Sequence, residues 1–244
     1  MILLALLTIS LGAISQRVTG MGLALVAAPF LLLLLDPITV VIIVNLCGMI
    51  SAVIIASRLR RRIDWRRYAW LVVPALVGVV PGSLLLFVVS DAWLKIGIGV
   101  ILVLSLSASM LVHQTSRPID GPLPRIVCGF SSGAMNAAAG VGGPAFSVYA
   151  VLSRWEQAAF AATAQPYLFT IGSASVLSKL AIDPAAWPVL EGWTWLGMAL
   201  ALVVGLLVGD ALSSRVEPRV ARRIVIVLAY TGAASAIVKG IFAL

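Results

Sequence analysis

Apolar runs of seventeen or more residues recur along this chain, at 69–89, 96–112 and 193–212. Each is long enough to cross the ~30 Å hydrocarbon core of a bilayer as a helix. Composition agrees, with 61% hydrophobic and 11% charged residues, where a soluble domain carries roughly 25% charged. Too little polar surface remains to coat a globule in water. At about 20 residues per span, the chain has room for about eight to ten crossings and no soluble domain.

The N-terminus lacks the basic region of a cleaved leader, and its apolar run continues past Arg17 to Leu35, so it reads as part of the folded protein. A net charge of +8 would suggest nucleic acid in a soluble protein. Here the basic residues sit at helix ends, so they report topology and no nucleic acid is implied. Cys47 and Cys128 lie in apolar stretches and read as packing residues. The tryptophans flank apolar runs, as interfacial anchors do.

A weak internal repeat divides the chain into halves, 1–117 and 118–244. Gly20-Met21-Gly22 aligns with Gly140-Val141-Gly142 at an offset of 120, as Asn45 aligns with Gln165. Further on the offset is 127, pairing Gly78 with Gly205 and Gly82 with Gly209. The extra residues fall near Asp183-Pro184-Ala185-Ala186-Trp187-Pro188, a loop by its proline content. The halves join at His113–Pro118. Each half holds a Gly-interrupted segment and three long helices, expected near 38–57, 68–89 and 92–112, then 156–178, 193–213 and 219–243. Asp36-Pro37 and Glu217-Pro218 mark helix starts.

The interrupted segments are too short to cross singly. The second has legs expected over Pro124–Met135 and Pro144–Ser153, roughly 18 and 15 Å of helix. They either stack into one broken span or fold back as a re-entrant hairpin. Lys and Arg favour the cytoplasmic side, and the cluster Arg58–Arg67 must be cytoplasmic either way. Leaving Arg17 aside as intramembrane, broken spans put ten basic residues inside and six outside, whereas hairpins put thirteen inside and three (Lys95, Lys179, Lys239) outside. The hairpin reading separates charge better. The expected fold is therefore an all-α polytopic membrane protein of two inverted repeats, each a re-entrant hairpin plus three transmembrane helices.

Arg17 lies inside an apolar stretch, where a cation costs at least ~2.5 kcal/mol. It could bind a substrate anion, reach the interface, or pair with an acid such as Asp210. Gly20 and Gly22 bracket a break after which a helix begins, so free N–H groups and a positive dipole end face it. Gln16 and Thr19 could add donors. In the second segment Gly140, Gly142 and Gly143 lead into Pro144, a helix-start signal, and Asn136 could donate or cap. Gly-x-Gly could instead serve helix packing. Asn45 and Gln165, at matched places mid-helix, should face the interior, towards a polar cavity or simply each other's helices. Asp210 could carry a proton or sodium ion, or serve structurally near a helix end. There is no metal-ligand cluster, no nucleophile motif, no Walker motif and no cofactor fingerprint, since no strand precedes the Gly-rich run.

The stretches Ser15–Pro37, SQRVTGMGLALVAAPFLLLLLDP, and Gly133–Val151, GAMNAAAGVGGPAFSVYAV, resemble the TauE/SafE family of sulfite exporters and toluenesulfonate permeases. The basic stretch Arg58–Arg67 fits as well, and the two-half layout extends the likeness over the whole chain. The resemblance implies secondary transport of small sulfur-containing anions such as sulfite, sulfoacetate or other organosulfonates, across the plasma membrane. The candidate substrate-binding set is then Gln16, Arg17, Thr19, Gly20, Gly22, Asn45, Asn136, Gly140, Gly142, Gly143 and Gln165, with Asp210 a candidate for proton or sodium coupling beside its structural reading near a helix end. An anion channel or a membrane-embedded enzyme are the alternatives, the latter short of paired titratable groups. A homo-oligomer is compatible with all three.

Overall fold

A computed structural model describes residues 2–19, 22–111, 118–213 and 218–244, and among these every regular element is helical. In chain order they are α1 (Ile2–Thr19), α2 (Gly22–Leu31), α3 (Pro37–Leu59), α4 (Trp65–Val88), α5 (Asp91–Leu111), α6 (Pro122–Ala139), α7 (Gly143–Leu152), α8 (Gln157–Ile182), α9 (Gly192–Ser213) and α10 (Pro218–Ile241). The lengths run 18, 10, 23, 24 and 21 residues, then 18, 10, 26, 22 and 24.

Local chemistry sets the helix starts. The Asp36 carboxylate accepts from the Thr39 N–H at 2.9 Å, and Pro37 supplies the first turn. Asp64 does the same for α4, accepting from the Arg67 N–H at 3.0 Å, so α4 begins earlier than its apolar run. The proline-rich link after α8 holds one 3-10 turn, Pro184–Ala186. Glu217 and most of the inter-half joint, 113–117, lie outside the described residues.

Two expectations need correction. The second long leg is not Pro124–Met135 but the 18 residues of α6, about 27 Å and nearly a full crossing. Pro122 starts the helix, and Asn136 does not end it. Likewise α8 runs on to Ile182, so Lys179 lies inside the helix and is fully buried.

Both interrupted segments fold back as helical hairpins. A Cβ on Gly12 would stand 2.9 Å from the Leu23 carbonyl and 3.3 Å from the Ala27 Cβ, so α2 returns along α1. In the second half the Ile119 N–H donates to the Leu152 carbonyl at 2.8 Å, closing the base of the α6–α7 pair. The tip of the first hairpin and the base of the second both lie near the link between α3 and α4. Arg17, near the first tip, shares Asp210 with Arg58 at the end of α3. The base of the second hairpin meets the start of α4, where the Arg67 guanidinium lies 3.6 Å from the Asp120 carboxylate.

Each long leg packs on a helix of the other half through paired glycines. Gly205 and Gly209 of α9 admit α1, with a Cβ on Gly205 2.6 Å from the Ser10 carbonyl and one on Gly209 3.2 Å from the Ile14 Cα. Gly78 and Gly82 of α4 admit α6, where a Cβ would collide with the Phe130 and Ala134 carbonyls. Phe130 and Ala134 stand 120 residues beyond Ser10 and Ile14. Small residues bring backbones this close when lipid supplies no hydrophobic drive between helices.

Four helices, Pro37–Arg62, Trp65–Val88, Gly192–Leu212 and Arg223–Ile241, are long and apolar enough to span a membrane. Their outer faces expose large apolar side chains such as Val73, Val77, Leu207 and Val227. Aqueous solvent would not tolerate so much apolar surface, but lipid does. The protein is membrane-integral. By contrast α8 turns Thr163, Gln165, Ser175 and Lys179 inward, all buried.

Candidate functional site

The helical breaks are built by backbone conformation. Gly140 has φ +74°, a left-handed turn that L side chains resist, and its N–H closes α6 on the Asn136 carbonyl at 2.8 Å. The chain then re-enters helix at Gly143–Pro144. The cap at Gly142 is not supplied by a side chain, so the first N–H groups of α7 stay open to a ligand. The Ser132 hydroxyl donates to the Gly142 carbonyl at 2.7 Å and fixes the turn against α6. Gly142 is tightly held, since a Cβ would lie 2.8 Å from the Ile171 Cδ1.

Between the two hairpins lies a cavity of about 50 Å³. That admits roughly three to five waters, or a small oxyanion. The starts of both short legs face it, Leu23 and Ala24 from α2 and Gly142, Gly143 and Pro144 from α7. Two positive dipole ends therefore converge on one space. Gln16, Asn45 and Asn136 supply its polar side chains, and Gly48, Gly140 and Leu168 complete much of the wall. Among the described residues no charged side chain lines it.

Four buried carboxamides serve this region in two equivalent pairs. Asn136 Nδ2 donates to Asn45 Oδ1 at 2.8 Å, and Asn45 Nδ2 donates to the Val41 carbonyl at 2.8 Å and to Ser175 Oγ at 3.3 Å. Displaced by 120 residues, the matching pair is Gln16 and Gln165. Gln165 Nε2 donates to the Ala161 carbonyl at 3.0 Å, yet the Oε1 atoms of both glutamines are buried without a partner. An unpaired buried oxygen costs about 1–3 kcal/mol, which a bound donor would recover. Gln165 does not itself line the cavity. It sits one turn from Leu168, which does.

Of the expected set, the structure brings Gln16, Asn45, Asn136, Gly140, Gly142 and Gly143 to one cavity. Gly22 opens α2 beside it. Gly20 and the Thr19 side chain lie outside the described residues. Arg17 and Asp210 stand elsewhere, in a second cavity of about 60 Å³ with Arg58. There Arg17 Nε donates to Asp210, and Arg58 Nη1 reaches the other carboxylate oxygen at 3.0 Å.

At the base of the second hairpin, Asp120 accepts from the Tyr149 hydroxyl at 2.8 Å and from Arg125 Nε at 2.9 Å. Burial pushes the Asp120 carboxyl up, but the bonds from Tyr149 and Arg125 and the charges of Arg125 and Arg67 outweigh it. The group is held below its usual range.

Sequence reasoning missed Ser132, Ser175 and Lys179. Ser175 and Lys179 stand four apart on one helix, a spacing that puts them on one face. A lysine inside SASVLSKLAI carries the same signal that singled out Arg17.

The family model for the sulfite exporter TauE/SafE matches residues 4–236. No curated protein and no solved structure gives a match.

Proposed function

The chain belongs to the sulfite exporter TauE/SafE family of membrane transporters, and from that premise we propose that it carries a small sulfur oxyanion by alternating access. The observation that carries this is the cavity of about 50 Å³ faced by two helix starts. Open N–H groups and dipole ends favour a negative guest without a fixed cation touching it. The size favours sulfite first and sulfoacetate or a compact organosulfonate second.

The site consists of Gln16, Asn45, Asn136, Gly22, Gly140, Gly142 and Gly143, with Gln165 behind it. The unpaired Gln16 oxygen favours a guest that also offers a hydrogen, such as hydrogen sulfite or a hydrated anion. Halves 1–117 and 118–244 act as inverted repeats in the plasma membrane, with the loop 58–67 cytoplasmic. The oppositely directed hairpins support this, as does the separation of basic residues, which is thirteen to two (Lys95 and Lys239) once the buried Lys179 is set aside with Arg17. Arg17 and Asp210 close the cytoplasmic end. For Asp210 to carry a coupling proton or sodium ion it must first release both arginines.

The test uses purified protein in detergent and in proteoliposomes. Sulfite and sulfoacetate raise the unfolding midpoint by mass action, about 2.7 kcal/mol at a hundredfold excess over Kd, whereas acetate does so less. Flux saturates and shows counterflow. Absence of any shift with either sulfur anion, or flux that never saturates, removes the carrier reading.

A further inference from the structure

We propose that Lys179 is a positioning residue of the anion site, orienting Asn45 and Asn136 through Ser175 and supplying the site's positive charge without touching the guest. This rests on the anion-carrier reading above.

Lys179 is fully buried. Its Nζ donates to the Ala137 carbonyl at 2.8 Å, to Ser175 Oγ at 2.9 Å and to the Ser175 carbonyl at 3.3 Å. Three acceptors match its three donors, but all are neutral. The ion pairs among the described residues hold Arg17, Arg58, Arg67 and Arg125 and leave Lys179 without a carboxylate. Ala137 is the third residue from the end of α6, so its carbonyl belongs to the negative dipole end. That end offers about half a counter-charge. Beyond that partial charge the ammonium has no carboxylate partner among the described residues, and an anion between the hairpins is the natural complement.

The orientation follows from donor counting. Lys179 can only donate, so Ser175 Oγ accepts from it. Asn45 then presents its Nδ2 to the same oxygen at 3.3 Å, and with its other N–H on Val41 both its donors are used. Its Oδ1 therefore faces Asn136, which donates to it at 2.8 Å. Asn136 has a second N–H, and Asn136 lines the cavity. The Val41 carbonyl, which only accepts, sets the same sense for the Asn45 amide; Lys179 adds that Ser175 Oγ must accept as well, so the chain Lys179–Ser175–Asn45–Asn136 is held in one order up to the cavity wall. Without the lysine the Ser175 hydroxyl could donate or accept, and the second Asn45 N–H would lose its fixed partner.

The experiment compares the full-length wild type, Lys179→Met and Ser175→Ala, each with sulfite and with sulfoacetate as probes. Binding is read as the ligand-induced shift from each variant's own ligand-free midpoint, and transport as KM and maximal rate. Lys179→Met keeps the length and removes the charge. It weakens both anions by roughly tenfold or more, with the flux defect in KM. Its ligand-free midpoint holds or rises, because a lone buried charge is gone. Ser175→Ala keeps the charge and the bond to Ala137 and loses the fixed acceptor. It weakens binding by roughly threefold to tenfold. Wild-type affinity in folded Lys179→Met, or in Ser175→Ala should the first variant not fold, overturns the assignment while leaving the carrier reading intact. A wild type that binds neither probe overturns both together.

Discussion

At the tip of the first hairpin an acid stands between two arginines; at the tip of the second a lysine stands among two carbonyls and one hydroxyl. The places correspond. Ala137 and Ser178 lie 120 residues beyond Arg17 and Arg58, and Asp210 lies 127 beyond Ser83. In one setting Arg17, Arg58 and Asp210 form an ion triplet. In the other the Ser83 and Ser178 hydroxyls meet at 2.5 Å, and the Ala137 carbonyl is taken by Lys179. Their surroundings differ too. The Arg17 and Asp210 side chains keep 32% and 29% of their exposure and Arg58 keeps 57%, whereas Lys179 keeps none. A partly wet ion pair separates for about 0–1 kcal/mol. Stripping a buried ammonium of its partners costs several kcal/mol. The first tip is therefore the cheaper of the two to part, and the second the costlier.

The largest effect tests whether the two seams are truly equivalent. Gly78→Leu drives a side chain into the backbone of α6 and Gly205→Leu into α1. Each should lose about 3 kcal/mol or more, read as a fall in unfolding midpoint in detergent. A tolerant Gly205 beside an intolerant Gly78 would break the equivalence. The carboxamide pairs come next. Asn136→Ala strands Asn45 Oδ1 and should cost about 1–3 kcal/mol, together with most sulfite flux. Gln16→Ala removes an oxygen that has no partner and should leave the ligand-free midpoint within about 1 kcal/mol of wild type while weakening sulfite. Equal loss of stability in both would show the pairs to be alike after all.

These contrasts mark how far the sequence could be read. The helix breaks at the glycines and the inward placement of Asn45, Asn136 and Gln16 were legible, because Gly-rich interruptions and amides in apolar runs are rare and costly. Which cation sits where was not. Arg17 and Lys179 look alike along the chain, and only the fold shows that one faces Asp210 and the other the end of α6. The length of α6 was hidden as well, since Asn136 is as plausible a stop as Gly140 until its amide is seen bonded to α3.

Smaller effects sharpen the contrast at the hairpin ends. Asp210→Asn should cost about 1 kcal/mol or less, with the loss shrinking at high salt. It should also raise cysteine accessibility at position 58 from the basic face. At the base of the second hairpin the Asp120 carboxyl is held below its usual range. Its bonds to Tyr149 and Arg125 are therefore fully present above about pH 4 and fade as pH falls through the lowered value. The midpoint should dip on acidification below pH 4 in the wild type and less so in Asp120→Asn.

The seam between α1 and α9 also sets a timetable for biogenesis. Arg17 and Asp210 are separated by 193 positions, and Gly205 and Gly209, which cradle α1, emerge just as late. At about 5–20 residues per second, a nascent α1 waits roughly 10–40 s for its partner. Throughout that interval a guanidinium sits in or beside the insertion machinery with no acid to meet it. An insertase or chaperone that shelters polar helices should therefore govern the yield of this protein more than that of a bundle whose neighbours are made in succession.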